Sequence, residues 1–327
     1  MTQHILGGRS GDSIRLGTAI LLIMGLAGCS KSAPLDPVQS TGTLATSPSA
    51  AAAGGFGSAT FYPLAPGNSW EYEGELRVDF VNPDGTPGGD PIQIQTAESD
   101  QIIGTEVRDG RTYFLREEIL DESGGPYPGR TVTWSRMRQD RAGLFAADVN
   151  SDEPPALDAA SARYAAPDAK TGRPGLDLSL LEARGFSKEA TARFAERVER
   201  VRNAAMGWGR SEGATRAAQE GELTWLLYPL HTGREWNIRP DMPWPARVDG
   251  VEVIASKMGP LVAYRIEAIP LGEPLAEGEY VRFYYGRVGL IGYSLHLSAQ
   301  ATDVDGNPTG TAILDDTRRL VATGPNS

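Results

Sequence analysis

Trp70-Glu71-Tyr72-Glu73-Gly74-Glu75-Leu76-Arg77-Val78-Asp79-Phe80 decides the fold class of this 327-residue chain. Trp70, Tyr72, Gly74, Leu76, Val78 and Phe80 alternate with Glu71, Glu73, Glu75, Arg77 and Asp79. A strict period of two describes a strand with one buried and one solvated face. Asn82-Pro83-Asp84-Gly85 then supplies a turn. The period returns late in the chain, where Ile291, Tyr293, Leu295 and Leu297 alternate with Gly292, Ser294, His296 and Ser298. Asp305-Gly306-Asn307 follows as a hairpin turn, since Asp-Gly tolerates positive φ. Further strands are expected at Tyr113 to Ile119, Val132 to Met137, Leu261 to Ile269 and Tyr280 to Tyr285. Alternation throughout favours antiparallel sheet with one open face over a parallel α/β core.

The chain also matches itself. Tyr62-Pro63-Leu64-Ala65-Pro66-Gly67-Asn68-Ser69-Trp70 recurs as Tyr228-Pro229-Leu230-His231-Thr232-Gly233-Arg234-Glu235-Trp236, both reading Tyr-Pro-Leu-x-x-Gly-x-x-Trp. Gly104-Thr105-Glu106-Val107 and Tyr113 match Gly250-Val251-Glu252-Val253 and Tyr264, and Arg141-Ala142-Gly143-Leu144 matches Arg287-Val288-Gly289-Leu290. Three matches in the same order indicate a duplicated β unit. Within the motif, Pro63 holds an extended approach and lacks the N–H for internal pairing. Gly67-Asn68 makes a tight turn, and Trp70 anchors the first inward position of the sheet. These roles are structural.

Residues 151–221 change character. Asp152 to Pro174 is rich in Pro, Ala and Asp and reads as loop. Leu176 to Arg184 reads as a short helix closed by Gly185. Ser187 is the expected N-cap of a helix over Lys188 to Ala205, with Phe194, Val198, Val201 and Ala205 forming an apolar stripe and Glu196 and Arg200 an i,i+4 pair. The helix is expected to cover part of the sheet's apolar face, with a movable flap as the other reading.

At the amino terminus, Arg9 and Arg15 precede a short apolar run from Leu16 to Ala27, the architecture of a secretory signal. An ordinary membrane-spanning helix needs about 20 apolar residues, more than this run offers. The run ends in Leu26-Ala27-Gly28-Cys29, and Cys29 is the sole cysteine. That ending looks like the lipobox of bacterial lipoproteins. The resemblance implies that Cys29 receives a diacylglycerol thioether, is cleaved from Gly28 and is acylated on its new amino group. Two or three acyl chains suffice for stable anchoring. Ser30 stands where an aspartate tends to retain Gram-negative lipoproteins in the inner membrane, which implies transit to the outer membrane. Lys31 to Thr60, rich in Ser, Ala, Pro, Thr and Gly, reads as a flexible tether.

Phe61-Tyr62-Pro63-Leu64-Ala65-Pro66-Gly67-Asn68-Ser69-Trp70-Glu71-Tyr72 resembles a recurrent opening of uncharacterised bacterial lipoproteins, and Tyr284-Tyr285-Gly286-Arg287-Val288-Gly289-Leu290 looks like their closing element. Arg287 departs from the small residue many relatives carry there. The resemblance covers the β copies, not the insertion. It implies a secreted β-sheet domain and transfers no activity.

The chain carries a formal net charge of −11, and residues 1–28 contribute a net +1 from Arg9, Asp12 and Arg15, so the remainder from Cys29 carries −12. An acidic balance excludes nucleic acid as a partner, which would need a clustered basic surface. One cysteine rules out internal disulfides and cysteine-rich metal sites, and three histidines leave little for a transition-metal centre. No phosphate loop, dinucleotide fingerprint or metalloprotease helix is present. His231 lies in the second Tyr-Pro-Leu turn and His296 on a polar strand face; His4 leaves with the signal peptide. Asp148-Val149-Asn150-Ser151-Asp152 and Asp303-Val304-Asp305-Gly306-Asn307 both break the calcium-loop pattern and read as acidic loop and hairpin turn. Glu117-Glu118 and Asp315-Asp316 are neighbours in strands and point to opposite faces, so neither reads as a catalytic pair.

The expectation is a mainly β fold: a duplicated antiparallel unit, half-barrel or sandwich-like, with a helical insertion between the copies. Its parts are a signal peptide (1–28), a tether (29–58), β repeat A (59–150), the insertion (151–221) and β repeat B (222–327). Function is expected to be that of a membrane-anchored envelope lipoprotein facing the periplasm, non-enzymatic and without cofactor or metal, joined to the membrane through Cys29 and to envelope proteins. The alternative is a carrier or sensor of a lipid or other apolar ligand in a groove between sheet and helix, lined by Trp225, Trp236, Met242 and Trp244. These two differ in whether the sheet encloses a cavity of about 300 Å3 or more. A hydrolase would need His231 or His296 to meet an acid and a nucleophile in a cleft.

Overall fold

The alternating run at Trp70 forms β1 (Ser69–Val81). Trp70, Tyr72, Leu76, Val78 and Phe80 are buried, while Glu71 and Glu73 are exposed. The structure, a computed structural model, describes residues 61–121, 130–151, 170–171, 179–205, 222–239, 244–268, 275–302 and 307–324. From β1 the chain runs antiparallel through β2 (Ile92–Arg108), β3 (Arg111–Asp121), β4 (Arg130–Gln139) and β5 (Gly143–Ser151), with β6 (Lys170–Thr171) parallel to β4. After the helical segment, β7 (Leu223–Leu227) pairs with β5 and completes a six-strand meander. A second meander follows: β8 (Glu235–Asn237), β9 (Pro245–Ser256), β10 (Gly259–Ala268), β11 (Tyr280–Gly286), β12 (Gly289–Thr302) and β13 (Pro308–Thr323).

The spatial order is β7-β5-β4-β3-β2-β1-β13-β12-β11-β10-β9-β8, so the two meanders join where β13 pairs with β1. That seam runs the length of β1, from Trp70 opposite Thr323 to Val81 opposite Thr311. The free ends of the sheet also meet. Thr224 N of β7 donates to Ile238 O, just beyond β8, at 2.8 Å, and the Trp236 indole donates to Thr224 O at 3.0 Å. The sheet is therefore a nearly closed, barrel-like ring.

Both Tyr-Pro-Leu motifs make the same turn. Gly67 (φ 90°) and Gly233 (φ 82°) take the left-handed conformation that only glycine adopts freely. Asn68 N donates to Ala65 O and Arg234 N to His231 O. Gly67 N donates to Ile102 O and receives the return bond through Asn68 O; Gly233 and Arg234 repeat this with Val248. The ladders skip one residue at equivalent places too, between Ile102 and Gly104 and between Val248 and Gly250. One matched pair needs correction. Tyr264 faces Val251, and the residue facing the equivalent Thr105 is Phe114, not Tyr113. Tyr113 lies opposite Glu106 and donates its hydroxyl to Glu222 at 2.6 Å. The second hairpin is longer, so counting along the chain misaligns the returning strand.

Leu181 to Arg184 belong to a 3-10 turn (Ser179–Arg184), ended by Gly185 at φ 90°. Helix α1 spans Lys188–Ala205, and Ser187 Oγ accepts from Ala190 N at 3.1 Å as its cap. Phe194, Val198 and Val201 are buried in the same core as Phe80, Leu297 and Ala312. Arg197 ties the helix to the sheet, pairing with Glu279 at 2.6 Å and donating to Ser298 O at 3.0 Å. The helix thus covers core side chains at the end of the ring that holds Phe80 and Ser298. Of the expected loop from Asp152 to Pro174, Lys170 and Thr171 form β6; the rest lies outside the described residues.

Candidate functional site

Five successive inward positions of β2 are Ile94, Thr96, Glu98, Asp100 and Ile102, so an apolar column is interrupted by charge. Asp100 stands opposite Glu118 and Ile102 opposite Arg116, which brings two charged residues of β3 to the same face. From the other side β13 contributes Asp316 and Arg318. β1 lies between, and Gly74 faces both Thr96 and Arg318. A Cβ at Gly74 would stand 2.7 Å from Thr96 Oγ1 and 2.8 Å from Arg318 Cγ, and would collide with the Thr317 carbonyl. The missing side chain is what lets Arg318 cross β1 and pair with Glu98.

The network closes through Arg116, whose Nη2 lies 2.6 Å from Asp100 Oδ2 and 2.7 Å from Glu118 Oε2. Tyr62, from the first Tyr-Pro-Leu motif, donates to Asp100 Oδ2 at 3.3 Å. Arg318 also approaches Asp316 at 3.8 Å. Four buried carboxyls therefore face two guanidiniums, and full ionisation would leave two negative charges in excess. Burying uncompensated charge is costly enough that such groups change protonation instead. Burial pushes the Asp100 carboxyl up to about 6, against the pull of Arg116, and raises Glu118 well above the usual carboxylate range. Burial likewise raises the hydroxyls of Tyr62 and Tyr72. Protons on Glu118, and on Asp100 below about pH 6, reduce that excess.

Beside the cluster is a cavity of about 30 Å3, lined by Tyr62, Glu98, Arg116, Glu118, Ser135 and Trp225 among others. That is room for one or two waters. Glu98, Asp100 and Glu118 each bring an oxygen to within 4.8 Å of the others, a donor set suited to a hard cation. Arg116 and Arg318 already hold one oxygen of each, so the resident cations of this site are guanidiniums.

Of the residues singled out in the sequence, Tyr62, Glu118 and Asp316 belong to this cluster, and the others lie at its edge or elsewhere. Trp225 lines the cavity, its indole donating to Tyr285 Oη and its ring 6.2 Å from Phe283. Trp236 and Trp244 are packed into the core, with Trp244 N donating to Asn237 Oδ1 at 2.5 Å. Met242 and Cys29 lie outside the described residues. Of the motif residues, Trp70 packs at a tilt against Tyr62, ring centroids 4.6 Å apart, and donates to Val288 O at 2.6 Å; Leu230 is buried, and Tyr228 meets Phe61 at 5.5 Å. Leu64 packs against the same core, and Pro63 accepts from Asn68 Nδ2 at 2.6 Å; the Tyr228–Pro229 peptide is cis. His231 is exposed, with Nδ1 3.1 Å from Thr232 O. His296 sits 2.7 Å from Asp315 and stacks on Tyr280 at 5.5 Å. Asp148 to Ser151 belong to β5, and Asp303 to Gly306 lie outside the described residues. Glu118 and Asp316 are buried in the cluster, whereas Glu117 accepts from the Trp134 indole and Asp315 pairs with His296. The neighbours do point opposite ways, but Glu118 and Asp316 meet their partners across strands.

No protein-family model and no curated protein matches the chain. Among solved structures it is similar to a lipoprotein candidate of Parabacteroides distasonis, 12% identical, with 81% of this chain and 98% of that chain covered and a TM-score of 0.29. It is also similar to an exported-protein candidate of YmcC-like fold from Bacteroides fragilis, 6% identical, covering 78% and 97% at a TM-score of 0.27.

Proposed function

We propose that this chain is a lipid-anchored protein of the bacterial envelope, held to the outer membrane through Cys29 and facing the periplasm, with a non-enzymatic structural or interaction role. Leu26-Ala27-Gly28-Cys29, placed after a charged start and an apolar run, supports the anchor. One observation favours a structural role over a carrier. Among the described residues the ring's interior is packed with its own side chains and the ionic cluster; the cavity beside the cluster is about 30 Å3, an order of magnitude below the usual ligand pocket of about 300 Å3, and the larger hollow of about 260 Å3 beside Val262 and Tyr264 also falls short of it.

Intact mass spectrometry of the mature protein from its own membranes tests the anchor. The expected mass begins at Cys29 and carries diacylglycerol and amide-linked acyl additions; Cys29→Ser leaves an unprocessed chain without them. A mature chain with a free thiol at Cys29 overturns the reading. The same spectra, recorded natively in detergent, are expected to show no further bound lipid, and a stoichiometric one would favour the carrier.

A further inference from the structure

The two copies differ at the hairpin after their equivalent bulges. In β9–β10, Val251, Val253 and Val262 are 51%, 67% and 53% exposed, and Met258 at the tip is 42% exposed. Register places Val253 opposite Val262, Val251 opposite Tyr264 and Ala255 opposite Pro260, so all six share one face. Tyr264 on that face packs edge-on to Phe61 at 5.6 Å within the core. The exposed valines are therefore the inner face of the sheet, carried past the end of β11 with no strand over it among the described residues. An apolar hollow of about 260 Å3 adjoins them, lined by Phe61, Pro260, Val262, Tyr264, Val288 and Ile291 among others. The β2–β3 hairpin is an internal control. Its corresponding face shows Thr105, Val107, Thr112 and Phe114, with Val107 alone among them a large exposed hydrophobic at 72%, and its tip is Arg108-Asp109-Gly110-Arg111. One exposed valine beside a charged tip in the first copy, against Val251, Val253, Val262 and Met258 together in the second, marks the second as a contact surface.

Position and charge select the occupant. Phe61, which lines the hollow, is where the chain from Cys29 joins the ring, and a segment of that length and composition has an r.m.s. span of roughly 30 Å. The anchor thus keeps this end near the bilayer, at an effective concentration that makes a weak surface contact count. Asp249 and Glu252 balance Lys257 and Arg265, so the hairpin is neutral on a chain carrying −12 from Cys29 onward. An anionic leaflet repels the acidic remainder more than this face.

We propose that the inner face of the β9–β10 hairpin is a membrane-docking surface, seating Val251, Val253, Met258 and Val262 in the interfacial layer of the bilayer that holds the anchor. This rests on the lipid-anchor reading, and the test separates the two. The full-length protein, purified from membranes, is floated with vesicles of phosphatidylethanolamine and phosphatidylglycerol. Val253→Cys and, as control, Val107→Cys carry an environment-sensitive dye; a lipidated Cys29 has no thiol to react. The expected result is a blue-shifted Val253 label, quenched severalfold more by doxyl-phospholipid than the Val107 label, with Val262→Cys behaving like Val253→Cys. Equal, water-like labels on a protein that floats overturn the docking surface and leave the anchor standing. A Val253 label shielded from water but untouched by doxyl-lipid, and more shielded as protein is concentrated, overturns it in favour of self-association. Unsubstituted protein that takes the dye at Cys29 and does not float overturns the anchor, and the docking surface with it.

Discussion

Gly74 carries the argument at the scale of one residue. A glycine in a strand interior ordinarily weakens it, so replacement by alanine ordinarily stabilises by about 0.5–1 kcal/mol. Here the sign reverses, because the new Cβ would meet the Thr317 carbonyl and the Arg318 stem. Displacing Arg318 also strands Glu98 in the interior. Gly74→Ala is expected to cost about 2 kcal/mol or more in urea denaturation; a neutral or stabilising result overturns the crossing of β1 by Arg318. Nothing in the sequence announced this site. Glu98 and Arg318 are separated by 220 positions, and only the register of β13, β1 and β2 brings them together. Reading carboxylates as neighbours along the chain found the pairs that strand geometry forbids and missed those it allows.

Among the elements, α1 was legible to the residue, because a capping serine and an apolar stripe are both local signals. Strands β1, β11 and β12 were legible for a similar reason, since apolar residues recur along one face, and β3 and β4 were found although polar residues interrupt their alternation. β2 and β13 were not: their inward faces carry Thr96, Glu98 and Asp100, and Asp316 and Arg318, which erase the contrast between faces. β9 was hidden by its bulge and by apolar residues on an exposed face. The buried ionic cluster thus hid β2 and β13, though not β3, which carries Arg116 and Glu118 among apolar neighbours. Helix α1 is held more by packing than by its cap, which sets an order for two substitutions. Phe194→Ala is expected to cost about 3–4 kcal/mol and Ser187→Ala about 1 kcal/mol. Thermal unfolding of the two variants checks the order, and equal losses would place the helix outside the cooperative core.

The whole molecule has a pH dependence whose two limbs come from different places. Asp100 and Glu118 bind protons more tightly folded than unfolded, so stability is fullest below the unfolded value and falls as pH rises through about 6 for Asp100. Glu279 goes the other way. Burial alone would raise it, but Arg197 and the N–H groups of Ser298 and Ala276 hold it down at about 2, so its contribution is lost as pH falls from about 4.5 toward 2. The urea midpoint is therefore expected to peak near about pH 5 and to decline toward about pH 8, with Glu118→Gln flattening the decline. A midpoint that climbs from pH 5 to 8 would mean that the cluster is ionised and otherwise compensated. The duplication, read from three short matches, accounts for the ring but not for its unequal seams. β1 and β13 come from opposite ends of the described chain and are joined rung by rung. Among the described residues β7 is joined to the far end of the ring by one backbone bond, from Thr224 N to Ile238 O just past β8, beside the short covalent loop Tyr228–Arg234. A leash needs few rungs, since it never lets its ends diffuse apart. The ring is a bracelet with a zip on one side and a hinge on the other, and local opening is expected at the hinge.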